Sequence, residues 1–122
     1  MKDPQSSGVT LCEAAQAYMD AHSAEKFSLD RMSKALFVNG SYLVRIFKRQ
    51  TGMTPLSYHH QARCEKAKSL LAQSDLSISQ VGESVGFVSS SHFSHIFRKT
   101  EGCTPSEYRS AVQAENTEST RE

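Results

Sequence analysis

The stretch SISQVGESVGFVSSSHFSHIFRKTEGCTPSEYR, residues 77–109, decides the reading of this chain. Ser77 followed three positions later by Gln80 is the capping-box pattern that opens a helix. Ile78, Val81 and Val85 come next at helical spacing. Gly86 then supplies a position that tolerates positive φ, and Phe87 a residue to pack. A second helix is capped from Ser89 or Ser90, buries Phe93, Ile96 and Phe97 at i, i+3, i+4, and ends at Gly102. Thr104, Pro105 and Glu107 open a third: Thr caps, Pro takes the first helical position and Glu closes a capping box. The stretch spells helix, tight turn, helix, stop.

The chain spells it twice. Fifty residues upstream, Val38/Val88, Ser41/Ser91, Ile46/Ile96, Phe47/Phe97, Gly52/Gly102, Thr54/Thr104, Pro55/Pro105 and Tyr58/Tyr108 are identical. Further up the offset is 49, as in Leu29/Ile78 and Met32/Val81, so the copies differ by one residue in the turn. Copy one starts at the cap Ser28, carries Leu29, Met32 and Leu36, caps its second helix from Asn39 or Ser41, and buries Leu43, Ile46 and Phe47. It has Phe37 where copy two has Gly86, so its turn is expected to be shaped by Asn39-Gly40 instead. Two copies make a duplication within a domain; a solenoid needs three or more.

The remaining elements fall around these units. The helix from Pro55 runs to about Gln73 with Tyr58, Ala62, Ala67, Leu70 and Leu71. Thr10 and Glu13 form a capping box in front of Leu11, Ala14, Ala15, Tyr18 and Met19. The helix from Pro105 is expected to end near Val112. The expected fold is all-α: seven helices, with two helix-turn-helix subdomains (10–53 and 74–112) joined by a long bridging helix (54–73). Residues 1–9 read as a disordered tail or linker stub, and 113–122 as a disordered tail.

Composition excludes several classes. The 122 residues suffice for one modest core or two small ones, and no apolar run nears the roughly 18 to 20 residues of a membrane span. Cys12, Cys64 and Cys103 form no CxxC pair and cannot all be bridged, which fits a reducing cytoplasm and small core residues. The net charge of +1 conceals an uneven distribution. Residues 31–109 carry 11 Lys+Arg and 5 Asp+Glu, whereas 1–30 and 110–122 are net acidic. A basic middle points to a polyanionic partner.

With the Leu/Ile/Phe stripes turned inward, the second helix of copy one presents Ser41, Val44, Arg45 and Lys48, flanked by Tyr42 and Arg49. That of copy two presents Ser91, Ser94, His95 and Arg98, flanked by Ser90, His92 and Lys99. Small hydroxyls near the N-terminus and bases toward the C-terminus suit a helix entering a DNA major groove. There short side chains allow close approach, Arg reads guanine, and flanking cations bind phosphates.

Residues 77–109 resemble the signature of the AraC/XylS family of bacterial transcription regulators. SLDRMSKALFVNGSYLVRIFKRQTGMTPLSY (28–58) is similar to that family's first helix-turn-helix. The resemblance, over about residues 10–112, implies sequence-specific binding of double-stranded DNA by an activator. Recognition helices at about 40–51 and 90–101 would enter successive major-groove segments, about 34 Å apart. It implies base contacts at Ser41, Tyr42, Val44 and Arg45, then at Ser90, Ser91, His92 and His95. Phosphate contacts fall to Lys48, Arg49, Arg98 and Lys99, and to the N-termini of each unit's first helix. RNA polymerase is the implied protein partner. No cofactor, metal, membrane or enzymatic activity is implied. One chain with two unequal helices is expected to read an asymmetric site as a monomer, with a dimer expected if the chain belongs to a longer one.

His92 and His95, with Cys103 nearby, lack a third ligand at zinc-like spacing. His59 and His60 point apart on their helix. No clustered carboxylates, activated nucleophile or phosphate loop suggests an enzyme, and Gly82 reads as a site of close helix packing. Cys64 and Cys103 read as packed thiols before redox sensors. A protein-interaction module docking an acidic partner predicts sequence-blind DNA binding; an architectural binder would call for more uniformly basic faces.

Overall fold

The structure, a computed structural model, describes the backbone of residues 4–121 and the side chains of residues 10–115. Among the described residues there are seven helices and no strand. They are α1 (Pro4–Ala21), α2 (Leu29–Ala35), α3 (Gly40–Thr51), α4 (Pro55–Gln73), α5 (Ile78–Ser84), α6 (Ser90–Glu101) and α7 (Pro105–Arg121). The chain forms two compact units, divided within α4 between His59 and His60 and not at the ends of that helix. No helix among the described residues is long and apolar enough to cross a membrane.

The first unit is built from α1, α2, α3 and the first turn of α4. Cys12, Ala15 and Met19 line one face of α1 and are buried against Met32 of α2 and Leu43 and Phe47 of α3. Tyr58 closes this core edge-on to Phe47, 5.6 Å between ring centroids, and its hydroxyl donates to Asp20 Oδ1 at 3.3 Å. The second unit repeats the plan with α4, α5, α6 and α7. Cys64, Ala67 and Leu71 of α4 are buried against Val81, Val85, Phe87, Phe93, Ile96 and Phe97. Burying a Phe of this kind contributes about 1.5–3 kcal/mol. Tyr108 meets Phe97 edge-on at 5.8 Å, as Tyr58 meets Phe47. Arg109 donates to the carbonyls of Leu71 and Ser74, which α4's end leaves without helical partners.

The duplication therefore covers three helices of each unit. Cys12, Ala15 and Met19 recur as Cys64, Ala67 and Leu71 at an offset of 52 residues.

Both interhelical turns have the same hydrogen bonding. In the first unit Phe37 N–H donates to Lys34 O and Val38 N–H to Ser33 O; in the second, Gly86 N–H donates to Glu83 O and Phe87 N–H to Gly82 O. This is the Schellman arrangement, with a left-handed residue just past the helix. Gly86 fills that position at φ 105, and Phe37 fills it at φ 59. The expectation that Asn39-Gly40 shapes the first turn is thus corrected. Asn39 is an extended N-cap, Gly40 is the first helical residue, and Phe37 itself adopts the strained conformation. The bonds also re-align the copies: Val38 corresponds to Phe87, and Val88 is the extra residue, 98% exposed.

Two helix ends differ from the sequence expectation. α1 begins at Pro4, so Thr10 lies inside the helix and does not cap it; proline fits a first turn because its missing N–H is not needed there. α7 runs to Arg121, since no Gly or Pro follows Pro105 to break it. Of the expected tails, Met1–Asp3 and Glu122 lie outside the described residues.

Candidate nucleic-acid interface

In each unit the second helix is fixed at both ends before any partner arrives. Asn39 Oδ1 accepts from the N–H groups of Ser41 at 2.8 Å and Tyr42 at 3.3 Å, and Ser89 Oγ accepts from His92 N–H at 3.0 Å. Such caps are worth about 1 kcal/mol each. Because Asn39 and Ser89 do the capping, the hydroxyls of Ser41, Ser90 and Ser91 are left for the outer face. Gly52 and Gly102 end α3 and α6 in the left-handed region, at φ 81 and 86.

Leu43 and Phe47 anchor α3 inward, and Phe93, Ile96 and Phe97 anchor α6. The opposite faces then carry the residues singled out in the sequence. Ser41, Tyr42, Arg45, Lys48 and Arg49 are exposed on α3, while Val44 is half-buried. Ser90, Ser91, His92, His95, Arg98 and Lys99 are all exposed on α6. Lys48 and Arg49 lie in the last turn of α3, and Arg98 and Lys99 in that of α6, where the helix dipole favours positive charge. No Asp or Glu occurs from Arg31 to Gly52 or from Gly86 to Thr100.

The two faces are organised differently. On α3 the Arg45 guanidinium lies over the Tyr42 ring, 5.6 Å from its centroid, a cation–π contact that holds the long side chain against its own helix. On α6 the organisation comes from outside the helix. His92 lies 5.5 Å from Phe87 and 6.2 Å from His60 of α4. Arg63 of α4, only 5% exposed, has its guanidinium carbon 5.0 Å from the Phe87 centroid. Burial, and after it the charges of Arg63, His92 and Lys99, pushes the His60 pKa below the ordinary imidazole range.

The sequence marks His60 only as pointing away from His59 and does not single out Arg63, because α4 reads as a connector. The signal was available in the offset of 52, which makes α4 the counterpart of α1 and sets residues 60 and 63 on the face beside Cys64. His59, one position away, is buried in the first unit with its ring 5.4 Å from Phe27, so the adjacent histidines do point apart.

Among the described residues no three His, Cys, Asp or Glu side chains are grouped to hold a metal ion. Cys64 is fully buried and its pKa is pushed up to about 11, chiefly by burial, which leaves an unreactive thiol. Lys68 bridges Glu65 at 3.0 Å and Glu101 at 3.1 Å, so the acidic residue at the end of α6 is neutralised within the second unit.

The helix-turn-helix domain family matches residues 32–111 of this chain. The chain is 32% identical over 71 residues to the HTH-type transcriptional activator RhaS of Escherichia coli strain SE11, covering 58% of this chain and 26% of that protein. It is 33% identical, with a TM-score of 0.79, to a solved transcriptional regulator of the AraC-type DNA-binding kind from Chromobacterium violaceum, covering 85% of this chain and 93% of that one. It is 30% identical, with a TM-score of 0.77, to the DNA-binding domain of the global transcriptional factor AdpA, crystallised with a target DNA, covering 86% and 94%. Aligned stretches take in 21% to 31% of the length of such curated relatives.

Proposed function

The chain belongs to the AraC-type family of helix-turn-helix bacterial transcription regulators, and on that premise we propose that it binds double-stranded DNA sequence-specifically as a transcription activator. The family is one of regulators and not of enzymes. The observation that carries the proposal is the pair of capped second helices, each with an exposed face free of carboxylates and rich in hydroxyl, imidazole and cationic groups. The AdpA domain, solved on a target DNA, supports the reading, and the activator arm draws on the likeness to RhaS.

In this reading α3 and α6 enter successive major-groove segments. Ser41, Tyr42, Val44 and Arg45 face the bases in one segment, and Ser90, Ser91, His92 and His95 face those in the other. Lys48, Arg49, Arg98 and Lys99 anchor on phosphates. The two faces differ at almost every position, so the site is asymmetric and one chain suffices to read it. Activation brings the protein beside RNA polymerase, in the cytoplasm where the chromosome lies.

The test is selection of bound duplexes from a random pool, with the winners' affinities followed from about 50 to 200 mM salt. A bipartite motif whose preference survives high salt is the expected outcome. A pool that stays random, with binding erased by salt, overturns the proposal in favour of a module that docks acidic proteins. On the selected duplex, Arg45→Ala should cost about 1–3 kcal/mol and relax preference at one base pair. Lys99→Ala should weaken all sequences alike and reduce the salt slope by about one.

A further inference from the structure

We infer that His60, on α4, is a positioning residue for the base-reading face of the second unit: with Phe87 it forms a corner that holds the exposed His92 ring in place. The inference rests on the reading of His92 as a base-contacting residue.

The His60 and Phe87 rings lie within 31° of parallel, 6.4 Å apart. The His92 ring stands nearly perpendicular to both, at 84° and 80°. Phe87 is itself fixed: it is buried, lies 5.2 Å from Phe93, and has the Arg63 guanidinium over its face. One wall of the corner is thus part of the core, and the other is a half-buried imidazole from a different helix.

The core does not rest on this arrangement, because His92 is exposed. The first unit does without it. At the offset that superposes Cys12 on Cys64, Gly8 stands for His60 and Leu11 for Arg63, and the ring at the place of His92 is Tyr42. Tyr42 holds Arg45 on its own helix; His92 has no such neighbour among the groups on α6 and is held from α4.

Holding an exposed side chain before binding spares the ordering cost that DNA would otherwise impose, which corresponds to about three- to tenfold in affinity for a side chain of this size. The benefit falls on the base pair that His92 reads and nowhere else. Burial, and after it the charges of Arg63, His92 and Lys99, disfavours the charged form of His60. Its removal is therefore expected to leave the attraction to phosphates unchanged.

The experiment uses the full chain, the duplex selected from the random pool and a panel of its single-base variants. His60→Ala is expected to lose about three- to tenfold of discrimination at the base pairs where His92→Ala loses it, with the salt slope and the affinity for random DNA unchanged. His60→Ala combined with His92→Ala should be no worse at those positions than His92→Ala alone. His60→Phe, which keeps a flat ring without a titrating nitrogen, should retain most of the discrimination. The inference is overturned if His60→Ala and His60→Phe both leave every base pair as well discriminated as before. A loss spread evenly over the whole site with a lowered melting temperature, in His60→Ala and His60→Phe alike, overturns it too and makes His60 a folding residue. If His92→Ala alters discrimination nowhere, the reading of His92 falls and takes the inference with it; if only the His60 variants are silent, that reading stands.

Discussion

The two helix-turn-helix units share a backbone and disagree about how to fill it. At the close approach between the first and second helices, the second unit pairs Gly82 with Phe93. A Cβ on Gly82 would lie 2.7 Å from the Phe93 ring. The first unit holds Ser33 and Leu43 at the same two positions, both buried. A larger residue on one helix is matched by a smaller one on the other, so the two units fill this contact in complementary ways. The same exchange runs through the turn, where Gly86 adopts the left-handed conformation at no steric cost and Phe37 adopts it with 93% of its surface exposed. It also runs through the third helix, where Tyr58 is tied to Asp20 and Arg109 to the end of α4. What recurs without change is the stop glycine, the Thr-Pro start and the aromatic that follows it. These fix the path of the chain, and the paired positions fill the space around it.

The largest effect should come from breaking one such pair. Gly82→Ala puts a methyl group into the Phe93 ring and should destabilise the second unit by about 1–3 kcal/mol, a fall of several degrees in melting temperature. Adding Phe93→Leu to that variant rebuilds the first unit's solution and should recover part of the loss, although Phe93→Leu alone is destabilising. Thermal unfolding of the three variants decides it. An additive double variant would mean that Gly82 and Phe93 are not coupled.

Much of this organisation is legible in the sequence, because caps, stop glycines and Thr-Pro starts act through bonds only a few residues long. Ser28, Asn39, Ser77, Ser89 and Thr104 all accept the hydrogen bonds their positions suggest. The inward and outward faces of α3 and α6 follow from the 3.6-residue period, with Val44 turned further inward than the period alone implies. What is misread is what local pattern does not encode. Val38 and Val88 are identical letters, yet Val38 packs where Phe87 does, and Val88 lies in solvent; an identity at an exposed position carries no packing information. The ends of α1 and α7 are misplaced because a polar segment without Gly or Pro looks like a tail and is equally able to continue a helix. The corner around His92 is assembled from α4, the α5–α6 turn and α6, and no window of sequence contains all of it.

A smaller effect of opposite sign should come from relieving the strain in the first turn. Phe37→Gly removes an exposed phenyl that packs on nothing and replaces a left-handed non-glycine residue. It should therefore stabilise the first unit by about 1 kcal/mol. Gly86→Ala, the converse change, should destabilise the second unit by a similar amount. Chemical denaturation resolves both. If Phe37→Gly lowers stability, the phenyl has a contact in the folded unit that its exposure conceals.

The smallest effect is a pH dependence of the second unit. The folded pKa of His60 is lowered, first by burial and then by Arg63, His92 and Lys99. In the unfolded chain the ring titrates near its ordinary value of about 6.5. Between the two values the unfolded chain binds more protons than the folded one, so stability rises with pH across that interval. The stabilisation from a neutral His60 is complete above the unfolded value and is lost as pH falls through the folded one. The α6 amides should accordingly exchange faster at about pH 5 than at about pH 7.5, after correction for intrinsic rates, and His60→Phe should flatten that dependence. An α6 pH dependence that His60→Phe leaves intact would place the proton on another group and leave His60 with its packing role alone.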